Sequence, residues 1–155
     1  MLEYLRTLFG ESYRNMNLPA NHWDNFPIEE EAKIIADFEK APDKFMISAF
    51  DGTRIVGNLG LFSMPSPFMK YTARLGMGLV KEFHRQGLGT HLMKYALDSA
   101  RHSGLHRVEL SVRTYNLEGI ALYEKSGFQR VGLLKNVVYI DGAYHDEFLY
   151  ELLLE

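Results

Sequence analysis

Two glycines, Gly87 and Gly89, stand between an apolar run that predicts a strand and a periodic run that predicts a helix. Glycine leaves no side chain between the backbone and a ligand, and it accepts positive φ. The first N–H groups of the following helix would point into the same turn, where the helix dipole adds partial positive charge. The turn is therefore a candidate binding site for a phosphate or pyrophosphate. The spacing alone fits a tight strand-to-helix turn equally well.

The residues around the glycines indicate which known phosphate-binding motifs the sequence does not match. Arg85 offers a mobile cation and Thr90 a hydroxyl donor. A Walker A loop needs a Gly-Lys-Ser/Thr run, which is absent here, and a dinucleotide-binding fingerprint needs a third glycine where Leu92 stands. The sequence therefore disfavours both a P-loop and a Rossmann fold.

Two stretches resemble motifs of the GCN5-related N-acetyltransferase (GNAT) superfamily. Residues 84–89, His-Arg-Gln-Gly-Leu-Gly, resemble motif A, Gln/Arg-x-x-Gly-x-Gly/Ala, with His84 as a departure at its first position. Residues 116–128, Asn-Leu-Glu-Gly-Ile-Ala-Leu-Tyr-Glu-Lys-Ser-Gly-Phe, resemble motif B, Asn-x-x-Ala-x-x-x-Tyr-x-x-x-Gly-Phe. The resemblance extends over about residues 46–154. It implies an acyltransferase that uses acetyl-CoA as cosubstrate.

The resemblance also implies which residues contact the cosubstrate. In the family, the strand before motif A pairs with the pantetheine arm, and the motif A amides bind the pyrophosphate. The motif B Asn contacts the pantetheine, and the motif B Tyr lies near the thioester sulfur. Carried onto this sequence, the catalytic position is Tyr123, and the binding positions are Leu79, Val80, Lys81, Arg85, Gln86, Gly87, Leu88, Gly89, Thr90 and Asn116.

The chemistry of acyl transfer fits these residue types. The enzyme must align the two reactants and stabilise the developing oxyanion, for which the family uses backbone N–H groups beside Leu79 and Val80. A phenol still holds its proton at neutral pH, so Tyr123 is the candidate general acid for the departing thiolate. Its position also fits the buried face of a helix. The chain has no cysteine, which favours direct attack by the amine in a ternary complex over a Cys-linked acyl-enzyme.

The general base and the acceptor are less defined. Glu109 could relay a proton through water, but it fits better as an ion-pair partner of Arg107 or Arg113. Glu82 fits a structural role, and His22 and His145 are weaker candidates for the base. The residues that could wall an acceptor site are aromatic, and each fits core or loop packing as well: Tyr13, Trp23, Phe26, Phe68, Tyr139 and Tyr144. Glu29–Glu31 would suit a polyamine, and equally the start of a helix.

The elements that must position these residues follow from periodicity and turn signals. Helices are predicted at 2–10, ending near Gly10, at 28–40, at 91–103 with Leu92, Tyr95, Ala96 and Ser99 at helical spacing, and at 117–126. Strands are predicted at 45–50, 54–62, 72–80, 108–112, 131–140 and 144–154, with hairpin turns at Asp51-Gly52 and Asp141-Gly142. Residues 11–27 read as a long ordered loop.

This order predicts an α/β (α+β) protein with the GNAT fold, in one domain over residues 1–155. The expected core is a central mixed, mostly antiparallel twisted sheet flanked by helices. A helix is predicted to begin almost at Met1. The family's first strand is therefore expected to be absent or lost to a truncated start. A missing strand leaves a sheet edge that a second copy could cover, which makes a homodimer one expectation.

Composition limits the classes of partner. The net charge is −3 over 155 residues, which predicts no nucleic-acid partner. No apolar run approaches the roughly 20 residues that span a bilayer, so a cytoplasmic protein without membrane partner is expected. The histidines are scattered, and no metal site is predicted. The expected substrate is an amine of a small molecule, amino acid or peptide. The alternatives are a non-catalytic acyl-CoA-binding or sensing module and a phosphate-binding domain without CoA.

Overall fold

The computed structural model of the protein describes residues 1–40 and 44–155. The helices are α1 (Leu2–Ser12), α2 (Ile28–Lys40), α3 (Leu88–His102) and α4 (Leu117–Lys125). The strands are β1 (Lys44–Asp51), β2 (Arg54–Ser63), β3 (Thr72–Leu79), β4 (Arg107–Arg113), β5 (Gln129–Ile140) and β6 (Ala143–Leu153). Short 3-10 helices lie at Tyr13–Asn15, Pro67–Met69 and Lys81–Phe83. The order of helices and strands is the predicted one.

The strands form a six-stranded sheet in the order β1-β2-β3-β4-β6-β5. The pairs β1·β2, β4·β6 and β5·β6 are antiparallel, whereas β3·β4 is parallel and short, joining Thr72–Arg74 to Arg107–Glu109. The predicted fold class, a mixed and mostly antiparallel sheet with helices, is confirmed. Within the described residues no strand precedes α1.

The chain divides into two compact units, and β3 and α3 contribute to both. The first unit, Met1–Phe62 with Gly76–Leu92, has a buried core of Tyr4, Leu8, Phe9, Val56 and Val80. The second unit, Ser63–Leu75 with Met93–Glu155, buries Met93, Ala96, Val108, Leu110 and Tyr150 among others. The single domain over residues 1–155 stays a prediction. None of the helices in the described ranges is long and apolar enough to cross a membrane.

Two predicted helix boundaries were wrong. α1 continues past Gly10 to Ser12, because Gly10 does not take the left-handed conformation that would end the helix. α3 begins at Leu88 instead of His91, since the chain reverses sharply at Gly87, with φ of +83°, and the helix starts immediately afterwards. The first helical turn therefore contains Gly89 and Thr90.

The buried face of α3 also differs from the predicted stripe. Tyr95 is 66% exposed, so it is not part of the core. The buried residues of this helix are Leu92, Met93, Ala96, Leu97 and Ala100, which follow the spacing of three and four residues that a helix requires. The second hairpin turn is as predicted, with Asp141 and Gly142 at φ of +53° and +80°.

Candidate functional site

The glycine turn of the first unit, residues 85–90, contains a run of backbone donors at residues 86–90. Arg85 and Gly87 have φ of +59° and +83°, and such left-handed residues turn neighbouring N–H groups into a concave nest. The His91 N–H donates to the Gly87 carbonyl at 3.1 Å, but in residues 1–40 and 44–155 no backbone carbonyl accepts from the amides of residues 86–90. A Cβ built on Gly87 would meet only the His91 ring, at 3.8 Å. The nest is therefore open to an anion, and binding of the CoA pyrophosphate there stays a prediction.

Side chains brace the turn from its outer side. Gln86 Nε2 donates to the Glu82 carbonyl at 2.7 Å, so the side chain of Gln86 is folded back onto the chain. The Glu82 carboxylate accepts from Arg54 at 2.9 Å, which fits the structural role expected for it. The His91 ring nitrogen Nδ1 lies 2.8 Å from the Gly87 carbonyl. Gln86 can thus serve an anion through its backbone N–H.

The end of β3 keeps one amide unused. The Val80 N–H donates to the Val56 carbonyl at 3.0 Å, and the Lys81 N–H donates to Glu11 Oε2 at 2.9 Å. In an antiparallel register that joins Val56 to Val80, the Leu79 N–H points away from β2. Pairing of β3 with β4 ends at Arg74 within the described residues. Leu79 therefore offers an N–H, whereas Val80 and Lys81 can offer a ligand only side chains or carbonyls that already accept from Phe83 and His84.

His84, the departure from motif A, is used inside the protein. Its Nε2 lies 2.9 Å from the Leu79 carbonyl oxygen, and because a carbonyl only accepts, Nε2 must carry the proton. This hydrogen bond links the end of β3 to the residue just before the glycine turn. Glu11, which accepts from Lys81, contributes to the same segment from α1. Neither contact has a local signal in the sequence.

In the second unit, Asn116 caps α4. Its Oδ1 accepts from the Gly119 N–H at 3.1 Å, the usual arrangement of an N-cap residue. This contact uses one lone pair of the side-chain oxygen. The Asn116 Nδ2 donors therefore remain for the pantetheine contact that the resemblance implies.

Tyr123 is a buried residue of α4. Its ring centroid lies 6.0 Å from that of Phe128, edge to face, and 6.5 Å from that of Tyr150. Burial raises the pKa of Tyr123 to about 12. The phenol therefore stays protonated at neutral pH, as a general acid must be. The same burial makes its anion costly, so a donated proton has to be replaced.

Glu109 is held by two arginines. It accepts from Arg107 at 2.6 Å and from Arg74 at 2.9 Å, and Arg107 also donates to Glu151 at 2.9 Å. Burial acts to raise the pKa of Glu109, but the hydrogen bonds from Arg74 and Arg107 outweigh it, and the pKa lies below its usual value. A carboxylate with a lowered pKa is a poor base for an ammonium. The ion-pair interpretation of Glu109 thus fits better than the general base.

The two candidate histidines lie in different surroundings. His22 packs against Trp23, with 4.8 Å between ring centroids. His145 packs edge to face on Tyr115 at 5.3 Å, and its Nε2 is buried without a hydrogen-bond partner in the described part of the chain. Among the described residues no three acidic or histidine side chains form a group that could hold a metal ion.

The aromatic residues predicted to wall an acceptor site are divided between the two units. In the first unit, Trp23 lies 4.9 Å from Phe26 and 5.8 Å from Phe9 between ring centroids. In the second unit, the rings of Tyr139 and Tyr144 lie 5.0 Å apart with their planes tilted by 58°, and Phe68 is 98% exposed. The cluster around Trp23 is the larger group, and sequence analysis had not included Phe9 in it.

Comparisons with known proteins agree with the motifs. The family described as "Acetyltransferase (GNAT) family" matches residues 2–128. "Probable N-acetyltransferase YjcK" of Bacillus subtilis is 29% identical over 129 residues, which cover 79% of this chain and 71% of that protein. "N-alpha-acetyltransferase RimI" of Mycobacterium tuberculosis is 34% identical over 104 residues, 66% of this chain and 63% of RimI. A GNAT-family acetyltransferase from Streptococcus pneumoniae shares the fold, with a TM-score of 0.91 over 99% of this chain and 91% of that chain at 22% identity.

Proposed function

The chain belongs to the GNAT family of acetyltransferases, and we propose that it acetylates a primary amine by direct attack, with acetyl-CoA and the amine bound together. Membership makes it an N-acetyltransferase, an acyltransferase whose acetyl donor is acetyl-CoA. The nest carries the proposal, because the amides of residues 86–90 have no backbone acceptor in the described ranges and suit the CoA pyrophosphate. The positive charge of Arg85 and the hydroxyl of Thr90 would add to the same anion site.

Direct attack requires an acceptor for the charge that develops on the thioester oxygen. The amine nitrogen forms its bond to the acetyl carbon while the carbonyl oxygen takes up negative charge, and the C–S bond then breaks. The unused N–H of Leu79 is the donor that suits this oxygen. Asn116 would hold the pantetheine arm through Nδ2, and Val80 and Lys81 through their carbonyls.

The departing thiolate requires a proton, which we assign to Tyr123. Because burial raises the pKa of this phenol to about 12, its anion cannot persist. The attacking nitrogen must lose a proton in the same reaction, and that proton can restore the phenol. Tyr123 thereby passes a proton to sulfur without remaining charged.

For the acceptor we propose an α-amino group, at the N-terminus of a peptide or on an amino acid. An α-amine has a pKa near 8 and a lysine amine near 10.4, so holding the lysine amine neutral at pH 7.4 costs about 4 kcal/mol and the α-amine under about 1 kcal/mol. Glu109 is held by two arginines that keep its pKa below the usual value, which leaves it poorly suited to deprotonate a lysine. The name of RimI also describes acetylation of an α-amine. A homodimer and a cytoplasmic location remain predictions from the sequence.

Two peptides of equal length would test the proposal. One has an unmodified N-terminus and no lysine, and the other has a blocked N-terminus and one lysine. Release of CoA thiol should follow addition of acetyl-CoA and the first peptide, with far slower release for the second. Faster reaction of the lysine peptide would contradict the acceptor class. Binding of CoA without thiol release from either peptide, or from a panel of small amines, would favour the non-catalytic module.

A further inference from the structure

The Tyr4 hydroxyl forms hydrogen bonds with one backbone group of β2 and one of β3. Because Val80 donates to Val56, the antiparallel register puts Asn58 opposite Gly78, where the Asn58 N–H would bond directly to the Gly78 carbonyl. Instead, the Tyr4 hydroxyl donates to the Gly78 carbonyl at 2.9 Å and accepts a hydrogen bond from the Asn58 backbone. A side chain of α1 thus bonds to the two backbone groups that face each other across β2 and β3.

Close packing holds this hydroxyl in the ladder. Tyr4 is 5% exposed and belongs to the buried core of the first unit with Leu8. A Cβ built on Gly78 would lie 2.4 Å from Leu8 Cδ2 and 2.9 Å from the Tyr4 hydroxyl oxygen. Only a glycine therefore lets α1 approach β3 this closely, and the insertion depends on Gly78 as much as on Tyr4.

The insertion fixes the orientation of the next amide. The Gly78 carbonyl and the Leu79 N–H belong to one planar peptide group and point in opposite directions. When Tyr4 holds the carbonyl on the β2 side, the N–H must point away from β2. On the C-terminal side of Leu79, the Leu79 carbonyl accepts from His84, and the Val80 N–H donates to the Val56 carbonyl. The Leu79 N–H is thus oriented by contacts on both sides.

We propose that Tyr4 is a positioning residue for acetyl transfer, which directs the Leu79 N–H at the thioester carbonyl. This inference rests on the proposed function, since acetyl-CoA supplies the carbonyl. Tyr4 itself does not contact the reacting atoms. Without its hydroxyl, Asn58 and Gly78 can bond directly, which would draw the peptide between Gly78 and Leu79 toward β2 and away from the thioester carbonyl.

The Tyr4→Phe variant keeps the ring and removes only the hydroxyl. It should lower kcat for thiol release about tenfold, part of the 10²–10³ that loss of an oxyanion donor costs. Its Kd for CoA, which lacks the acyl carbonyl, should stay within about twofold of the wild type because the nest is untouched. Leu61→Val is the matched control: Leu61 is 1% exposed on β2, and its truncation lowers stability without touching the inserted hydroxyl. An unchanged kcat in Tyr4→Phe, or an equal loss in Leu61→Val, would overturn the proposal.

A spectroscopic readout separates this inference from the proposed function. In wild-type protein, the amide resonance of Leu79 should differ between the CoA and acetyl-CoA complexes, and in Tyr4→Phe the difference should shrink. Shifts of the amides at 86–90 without any acetyl-dependent shift of Leu79 would overturn the role of Tyr4 and leave CoA binding intact. No shift of any amide with either ligand would overturn the proposed function and this inference together. If Tyr4→Phe does not fold, the wild-type comparison still overturns the proposal when Leu79 shows no acetyl-dependent shift.

Discussion

The Nε2 of His84 lies 2.9 Å from the carbonyl oxygen of Leu79 and closes the segment that joins β3 to the glycine turn. His84 stands at the first motif A position, where the family has Gln or Arg. A glutamine side chain can also place an N–H donor on this carbonyl. The departure from the family pattern therefore changes the residue while keeping a donor.

His84→Gln should preserve the affinity for acetyl-CoA, whereas His84→Ala should weaken it about fivefold, the value of one hydrogen bond of about 1 kcal/mol. Titration calorimetry with both variants measures this difference. His102→Ala is the control, because that ring also bonds a main-chain carbonyl, of Asp98, in a different part of the chain. If His84→Gln behaved like His84→Ala, the packing of the imidazole and not its donated hydrogen bond would matter.

Tyr123→Phe should lower kcat by about 10² or more while CoA affinity changes by less than about twofold, because a general acid acts only in the reaction. Thiol release and CoA titration supply the two quantities. Tyr95→Phe is the control, since that phenol lies on α3 and is 66% exposed. Parallel loss of binding and turnover in Tyr123→Phe would make Tyr123 a structural residue only.

Glu109→Gln should keep kcat within about twofold of the wild type, because the carboxylate holds arginines and its lowered pKa makes it a poor base. Its melting temperature should fall slightly, as expected for partly exposed ion pairs. Glu151→Gln is matched to it, since Glu151 also accepts from Arg107. A kcat for Glu109→Gln about 10² lower, with Glu151→Gln unaffected, would restore Glu109 as the base.

Alkaline unfolding should report the burial of Tyr123. Its phenol titrates at 10.0 ordinarily and at about 12 in the folded protein. Between these values the unfolded chain has lost the proton and the folded protein retains it, so stability falls as pH rises. The two-unit difference amounts to about 3 kcal/mol.

Urea unfolding of wild type and Tyr123→Phe across pH 10–12 gives the unfolding free energy of each as a function of pH. The difference between the two slopes is the contribution of the Tyr123 phenol. Tyr123→Phe should lose stability less steeply, and Tyr95→Phe should follow the wild type. Equal slopes for wild type and Tyr123→Phe would mean that the Tyr123 hydroxyl is accessible to water.

The elements and motifs could be predicted because their signals are local. α2 follows from its apolar period and acidic first turn, and the hairpins follow from Asp-Gly pairs. The contacts that shape the end of β3 are not local: Glu11 binds the amide of a residue 70 positions away, and Tyr4 binds Gly78 across 74 positions. Tyr4 and Leu8 share a helical face, which predicts burial but not insertion into a ladder.

The proposed function depends most on binding of the CoA pyrophosphate by the nest at residues 85–90. Calorimetric titration of CoA into two glycine variants tests this binding directly. Gly87 and Gly142 have φ of +83° and +80°, so alanine at either position carries a similar backbone cost of about 1–2 kcal/mol. Only at Gly87 would the new methyl group enter the nest. Gly87→Ala should therefore bind CoA at least about tenfold more weakly than the wild type, and Gly142→Ala should match the wild type. Equal affinity of Gly87→Ala and wild type, or no CoA binding by the wild type, would contradict the account.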